Sequence, residues 1–523
     1  MKAIKKSMIL LAALFLSLSG CNPKSSGGSG TSHLSLIPGD AIFVVGVEFK
    51  KIVDKGGLNK PDDFKFFSLF RSEFNEKQQK AFDEFVKDPK SAGLDLDVFY
   101  VYARKTELES DVNVTCVIKL HDESKFVATI KDLGAPEPED KGEYKLILDN
   151  GTFAWNKDYL ILVAGDGVET LDFASLLTAN QETSISANEG FKAFQSNTYD
   201  LGIWADYGVL IDLYSTMMGL DKMDVFELAK GTYVYGYLNF ENGEINGKGT
   251  MGPKEKVDEV LAKYPIIKKD FDETLYQGFP EQSFLAMKMS LNVKEYLNFI
   301  KTALSECNAD DSYNPYSELF SAFEDPSVQK IVNALGGDIL FSLYGFVEGM
   351  FPIPTTSIAF TVNGEQGFQD LLASLPANMW SKTGEHYTLV MGGGVPMSVL
   401  FAYKDSKVYV SDDIEGIKKF LDKGFDKNIA SGSLGAQLKK DLMLFYLNLD
   451  LDSYPDHIKL LLQNTIGGRA YKQFTSYMNI YKELSYGVTN NYEAECSLKL
   501  KNTTVNALKQ ILKNIDENTS SLY

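Results

Sequence analysis

The chain has 523 residues, of which 44% are hydrophobic and 12% aromatic, and it carries a net charge of −19 at pH 7. That length and apolar content suffice for a large core and more than one domain, and they exclude a disordered or fibrous chain. The acidic balance, with no Lys/Arg cluster interleaved with aromatics, repels phosphate backbones and argues against nucleic acid as a partner.

Lys2, Lys5 and Lys6 precede an apolar run from Met8 to Leu18. The run is too short to span a bilayer and has the length of a signal-peptide core. It closes on Leu18-Ser19-Gly20-Cys21, which resembles the lipobox of bacterial lipoproteins. The resemblance implies that residues 1–20 are a removed signal peptide and that Cys21 is the lipidated first residue of the mature chain. A plain secretory leader with a chance cysteine is the alternative. Losing the three lysines with the leader takes the net charge from −19 to −22, which opposes contact with anionic lipid. Residues 21–35 then form the lipidated cysteine and a flexible tether, because Asn22–Ser32 is rich in Gly and Ser. Eleven such residues have an r.m.s. span of roughly 18 Å. Asn22 in place of Asp resembles outer-membrane lipoproteins, and a tether without an acidic run favours the periplasmic face over the cell surface. No second apolar run approaches eighteen residues, so the membrane is expected as a partner only through the lipid at Cys21.

The folded part is expected to begin at the Pro38-Gly39-Asp40 turn and a strand over Ala41–Phe49. A helix is predicted from about Phe64 to Val86, with Phe64, Phe67, Phe70, Phe74, Phe82 and Phe85 as a core-facing stripe. The strands LDLDVFYVYAR and VNVTCVIKL follow, then a helix from about Asp122 to Leu133 capped by Asp122. Downstream, a constant offset of 242 residues pairs Pro38 with Pro280, Phe99 with Phe341, Tyr102 with Tyr344, Phe126 with Phe368 and Gly142-Glu143 with Gly384-Glu385. A tandem duplication is therefore expected: a first α+β copy over 36–276 and a second over 277–523. Each copy reads as strand-helix-strand-strand-helix units with antiparallel sheets covered by helices. Within this pattern GTYVYGYLNF–ENGE–INGKGTMG is a hairpin with an Asn-Gly turn, leading to a helix that starts at Pro253. VNVTCVIKL with Cys116 also resembles YEAECSLKL with Cys496, which suggests a finer repeat.

Residues that could carry chemistry are scattered. His33, His121, His386 and His457 have no second His or Cys at a metal-ligand spacing. No G-x-S-x-G run presents a nucleophile, and Gly392-Gly393-Gly394 lacks the Lys and helix start of a phosphate cradle. The acidic groups Asp450, Asp452, Asp456 and Asn308, Asp310, Asp311 lack the glycine and terminal glutamate of a calcium loop. Asp166 and Asp413 read as helix caps. Beyond Cys21 the cysteines are Cys116, Cys307 and Cys496; an odd number favours free, buried thiols, and Cys116 and Cys496 are expected to stay unlinked. No catalytic residue, metal site or cofactor is assigned. The candidate partner-binding positions are Tyr471, Phe474, Tyr477 and Tyr481, with Tyr486 beyond them. These fall close to one helical face, and Tyr suits wet interfaces and sugar faces.

With its lipobox, the Pro-Gly-Asp-Ala strand that opens the body and the duplicated pattern, the chain resembles an uncharacterised family of large Gram-negative lipoproteins of unknown function. The resemblance supplies no functional residues. The expected role is a non-enzymatic envelope protein that binds or scaffolds a partner; the alternatives are a glycan- or peptide-binding lipoprotein in nutrient uptake, and an envelope hydrolase with an acid pair built from distant residues.

Overall fold

Apolar residues that alternate between turn-forming glycines make strands, and in this chain those strands assemble into antiparallel ladders. The computed structural model describes residues 33–519 except 73, 106–111, 149–151, 166, 219–223, 308–324, 348–352 and 392–396. Cys21 and residues 22–32 of its tether, Asp166, Asn308, Asp310, Asp311 and Gly392-Gly393-Gly394 lie outside the described residues, whereas residues 33–35, expected in the tether, form with Leu36 a turn whose Leu34, Ser35 and Leu36 are buried, because the two leucines pack into the first core. The described chain divides into two compact units. The first comprises the residues up to Leu210, Tyr233–Thr250 and the stretch from Leu500; the second comprises Ile211–Thr232 and Met251–Lys499. The units therefore cut the chain differently from copies drawn at residues 276 and 277.

In chain order the first unit's strands are β1 (Phe43–Val47), β2 (Leu94–Lys105), β3 (Val112–Leu120), β4 (Glu139–Asp140), β5 (Lys145–Leu148), β6 (Thr152–Trp155), β7 (Tyr159–Ala164), β8 (Leu201–Asp206) and β9 (Tyr233–Glu241). β10 (Glu244–Gly252) follows β9 through the Asn-Gly turn, where Gly243 holds φ 69°. The sheet order is β9-β8-β1-β2-β3-β7-β6-β5-β4. Helices cover both faces. On one side the turn His33–Leu36 and the helix Glu189–Gln195 close a core around Val44, Tyr102, Phe191 and Trp204. On the other, the helices Phe49–Gly56, Glu76–Lys87 and Glu123–Asp132 close a core around Phe99, Cys116, Phe126 and Trp155. Strands with both faces covered need not alternate, so β6 reads TFAW and is buried throughout. The chain's last described helix, Ala507–Thr519, packs on the helix Phe49–Gly56, and Asn506 Nδ2 donates to Phe240 O at 2.7 Å.

The caps locate the helix ends. Asp122 accepts from Lys125 N at 3.1 Å, as its position predicts. The helix expected over 64–86 is instead two helices, Lys65–Ser72 and Glu76–Lys87. Asn75 and Gln78 form a reciprocal capping box that starts the second. Phe64, Phe67, Phe82 and Phe85 are all buried, as expected of a core stripe; the side chain of Phe70 lies outside the described ones.

The second unit's strands are β11 (Leu285–Ser290), β12 (Leu335–Val347), β13 (Ile353–Val362), β14 (Trp380–Thr383), β15 (His386–Met391), β16 (Met397–Lys404), β17 (Lys407–Ser411), β18 (Met443–Asn448), β19 (Tyr481–Val488) and β20 (Glu493–Leu500). β11 pairs with β12 and β18, and β13 with β12 and β17, giving the order β19-β18-β11-β12-β13-β17-β16-β15-β14. Strand for strand, this is the order of the first unit. The register departs from a constant offset, however: Tyr102 faces Val44, whereas Ser342 rather than Tyr344 faces Ala286. The same difference holds on the other side, where Tyr102 faces Thr115 and Ser342 faces Ser357, so β12 follows β2 at an offset of 240 while its neighbours keep 242. Phe126 and Phe368 are both buried, at 1% and 3% exposure.

Candidate functional site

Strand β11 has the sequence LAMKMS, and its burial runs against its chemistry. Ala286, Lys288 and Ser290 are buried, while Leu285 and Met289 are half-buried and Met287 is 39% exposed. Successive side chains alternate between faces, so the second unit turns its polar set inward and its apolar set outward at this strand. The buried face carries an apolar core around Leu340, Ala359, Tyr409, Ile417 and Leu438, with further polar groups set within it. Ser283 and Ser342 hydroxyls meet at 2.9 Å, Ser357 Oγ donates to Ser411 Oγ at 2.8 Å, and Tyr409 Oη donates to Ser357 Oγ at 2.7 Å. Burial pushes the Tyr409 hydroxyl well above its ordinary pKa. Lys268 Nζ lies 2.7 Å from the buried Asp338 carboxylate, which also accepts from Ser290 Oγ at 2.6 Å. These groups satisfy one another, as buried polar groups must.

Lys288 is the most constrained of them. Its ammonium donates to Leu438 O at 2.6 Å and Asp441 O at 2.7 Å. It thereby caps the carbonyl end of the helix Gly435–Lys440 and lies 4.5 Å from the centre of the Phe271 ring. Burial pulls its pKa below the usual lysine value, opposed by the charges of Asp441, Glu273 and Asp338. Its geometry is that of a structural clamp.

The opposite face carries the feature that stands out for binding. Directly paired positions place Tyr486, Phe445, Met287, Phe341, Ile358 and Val410 in one row across β19, β18, β11, β12, β13 and β17. Tyr486 is 49% exposed and Met287 and Ile358 are each 39% exposed; Phe445, Phe341 and Val410 are half-buried. In the first unit the corresponding row runs through Ile203, Val45, Val101, Cys116 and Leu162. There Cys116 and Leu162 are buried in the core that contains Phe126. In the second unit three of the six residues of the row keep more than a third of their surface exposed, and Val410 packs against the buried cluster of Phe368 and Phe401. Sequence reading missed the row, because LAMKMS alternates Leu and Met with Ala, Lys and Ser but the row forms only when six strands pair.

The aromatic positions singled out from sequence do not form one helical face. The helix Asp456–Ile466 ends at Gly467, which holds φ 85°, and a second helix covers Gly468–Met478. Tyr471 and Tyr477 lie half-buried on that second helix, and Phe474 is 37% exposed. Tyr481 starts β19 and Tyr486 stands on it, so neither belongs to the helix. Period-two and period-3.6 patterns overlap over so short a stretch, which is how the strand came to be read as helix.

Titratable groups elsewhere are dispersed. Burial lowers His33 to about 4, despite the opposing charge of Asp95. Cys116 is a free, buried thiol pushed up to about 12 by burial, and Cys496 lies half-buried on β20 of the other unit. Asp450 caps the turn Leu451–Ser453 through Asp452 N at 3.0 Å, and Asp456 holds Lys459 at 3.3 Å. Asp413 caps the helix Ile414–Leu421 through Glu415 N at 2.9 Å. Among the described residues no cluster of three or more His, Cys, Asp or Glu could hold a metal. A cleft of about 500 Å³ lies in the first unit, lined by Ser35, Asp40, Arg104, Ser175, Thr178, Asn180, Thr183 and Ser184. Arg104 Nε there donates to Asp40 Oδ2 at 2.9 Å.

The fold is α+β, with antiparallel sheets and packed helices, and its most distinctive surface is the open apolar row. The chain belongs to the family described as "Domain of unknown function (DUF4836)", whose match runs over residues 34–508. No curated protein matches. Two crystal forms of TP0453 are similar over 47% of this chain. One shares 7% identity at a TM-score of 0.24 over 92% of that protein, and the other 8% at 0.22 over 90%. Among the described residues no helix is long and apolar enough to cross a membrane.

Proposed function

We propose that the protein is a lipid-anchored, non-enzymatic envelope protein that docks a partner on the open sheet face of its second unit. The observation that carries this reading is the apolar row through Tyr486, Met287 and Ile358, exposed at those three residues although the buried side already holds an apolar core. The partner chemistry that fits such a face is an apolar or amphipathic protein segment, which would bury the row and leave the strand ladder intact. The lipobox-like Leu18–Cys21 supports anchoring through Cys21 at the outer membrane, facing the periplasm. The repeated strand order supports a tandem duplication in which the second copy kept the sheet and opened one face. Charge placed in the row tests the reading: Met287→Lys with Ile358→Lys should lower partner retention by the detergent-extracted chain at least about tenfold, since burying an unpaired charge is costly. Unchanged retention would refute it.

A second reading, binding of a small polyhydroxylated ligand such as a sugar, is supported by the hydroxyl-lined cleft beside Asp40 and Arg104. Calorimetric titration of oligosaccharides into the wild type and Arg104→Ala separates it from docking on the sheet.

A further inference from the structure

The helices Asp456–Ile466 and Gly468–Met478 contain no buried residue. Leu460 is 56% exposed, Ile466 39% and Phe474 37%. At 100° per residue, Tyr471, Phe474, Tyr477 and Met478 fall on one side of the second helix and Arg469, Lys472, Gln473 and Ser476 on the other. On the first helix Ile458, Leu461, Leu462 and Ile466 share one side, while Leu460 stands opposite between Gln463 and Asn464; both helices are thus amphipathic, and Leu461 and Ile466 keep 36% and 39% of their surface exposed.

Its charge sets it apart from the rest of the chain. From His457 to Lys482 the sequence holds Lys459, Arg469, Lys472 and Lys482 and no Asp or Glu, in a chain of net charge −19. Lys459 is held by Asp456 at 3.3 Å; Arg469 and Lys472 have no ion-pair partner among the described residues. At physiological salt charges are screened beyond about 8 Å, so a surface approaching these helices meets their basic side chains rather than the acidic total. Exposed Leu, Ile and Phe on one side and Arg and Lys on the other are the chemistry of a helix lying in the headgroup region of an anionic bilayer. A protein groove would recognise fixed anchors at helical spacing. Here exposed apolar residues lie on both helices around the Gly467 turn, which suits a fluid surface better.

We propose that this helix pair is a membrane contact separate from the lipid at Cys21: an interfacial hairpin that seats Leu461, Ile466 and Phe474 among the acyl chains while Arg469 and Lys472 meet anionic headgroups. The contact would orient the second unit on the bilayer that the anchor holds nearby. It stands independently of docking on the sheet face.

The test uses the full chain with Cys21→Ser to remove the anchor and Phe474→Trp as a reporter, against the same chain without the reporter. The probes are phosphatidylcholine vesicles with and without one-quarter phosphatidylglycerol. The expected result is a blue shift of the reporter's emission and its quenching by brominated lipid, both only with phosphatidylglycerol. Arg469→Glu with Lys472→Glu should weaken partitioning at least about 25-fold, because each basic residue near an anionic surface contributes about fivefold. Ile466→Asp should weaken it as well. Emission indifferent to both vesicles would overturn the proposal. So would a blue shift without vesicles that depends on protein concentration, which would assign the surface to a second copy, or an equal shift with polyglutamate, which would assign it to an acidic protein.

Discussion

Two side chains on neighbouring strands and opposite faces test whether the second unit's sheet is open. Leu340 on β12 is 0% exposed and lies in the apolar core with Ala286, Ile417 and Leu438, whereas Met287 on β11 is 39% exposed and pairs with Phe341 on the outer face. Leu340→Ala removes fully buried methyl groups and leaves a cavity, a loss of about 2–5 kcal/mol. Fully burying a side chain such as Met contributes about 1.5–3 kcal/mol. Met287 keeps more than a third of its surface in water, and solvent fills the space it vacates, so Met287→Ser should cost about 1 kcal/mol. Native-state hydrogen exchange of amides in β11, β12 and β13, read as a function of urea, reports the opening of the second unit itself. If Met287→Ser destabilises those strands as much as Leu340→Ala, the face is covered and the reasoning fails.

Lys288→Ala should destabilise the second unit by about 1–3 kcal/mol, because Asp441 O loses the Lys288 donor inside the core while Leu438 O keeps the Tyr276 hydroxyl at 2.7 Å; a midpoint shift in urea checks it, and no shift would mean the clamp contributes nothing. Cys116, held as a thiol by burial, should resist alkylation in the native protein at pH 8 and react only on unfolding; rapid native labelling would contradict its burial. His33, lowered by burial to about 4 from an ordinary 6.5, should behave oppositely to a surface histidine. The folded state binds fewer protons than the unfolded state between these values, so its contribution is complete above pH 6.5 and lost as pH falls toward 4. Faster exchange of amides in the turn His33–Leu36 at pH 4.5 than at pH 7, beyond the chemical rate change, is the expected sign; equal protection would remove the effect.

Much of the architecture was legible because its signals are local. Asp122 and Asp413 declare helix starts by side-chain acceptance from nearby N–H groups, and Asn242-Gly243 declares a hairpin. The split between Lys65–Ser72 and Glu76–Lys87 was legible too, in Asn75 and Gln78, but the phenylalanine spacing hid it. What could not be read was set at long range. Lys288 belongs inside the sheet because carbonyls some 150 residues away accept its protons. Without that contact LAMKMS looks like an ordinary apolar strand. The open row requires six strands in register, and no stretch of sequence contains it.

The central claim, that the row through Met287 is a docking surface, is tested most directly by site-specific photo-crosslinking in cells expressing the anchored full chain. A benzoylphenylalanine in place of Met287 or Tyr486 should give one discrete adduct. The adduct should vanish when Ile358→Lys is added, and it should be absent when the probe replaces Lys192, exposed on the first unit. The same adducts from Met287 and Lys192, or none from Met287 in the intact envelope, would contradict it.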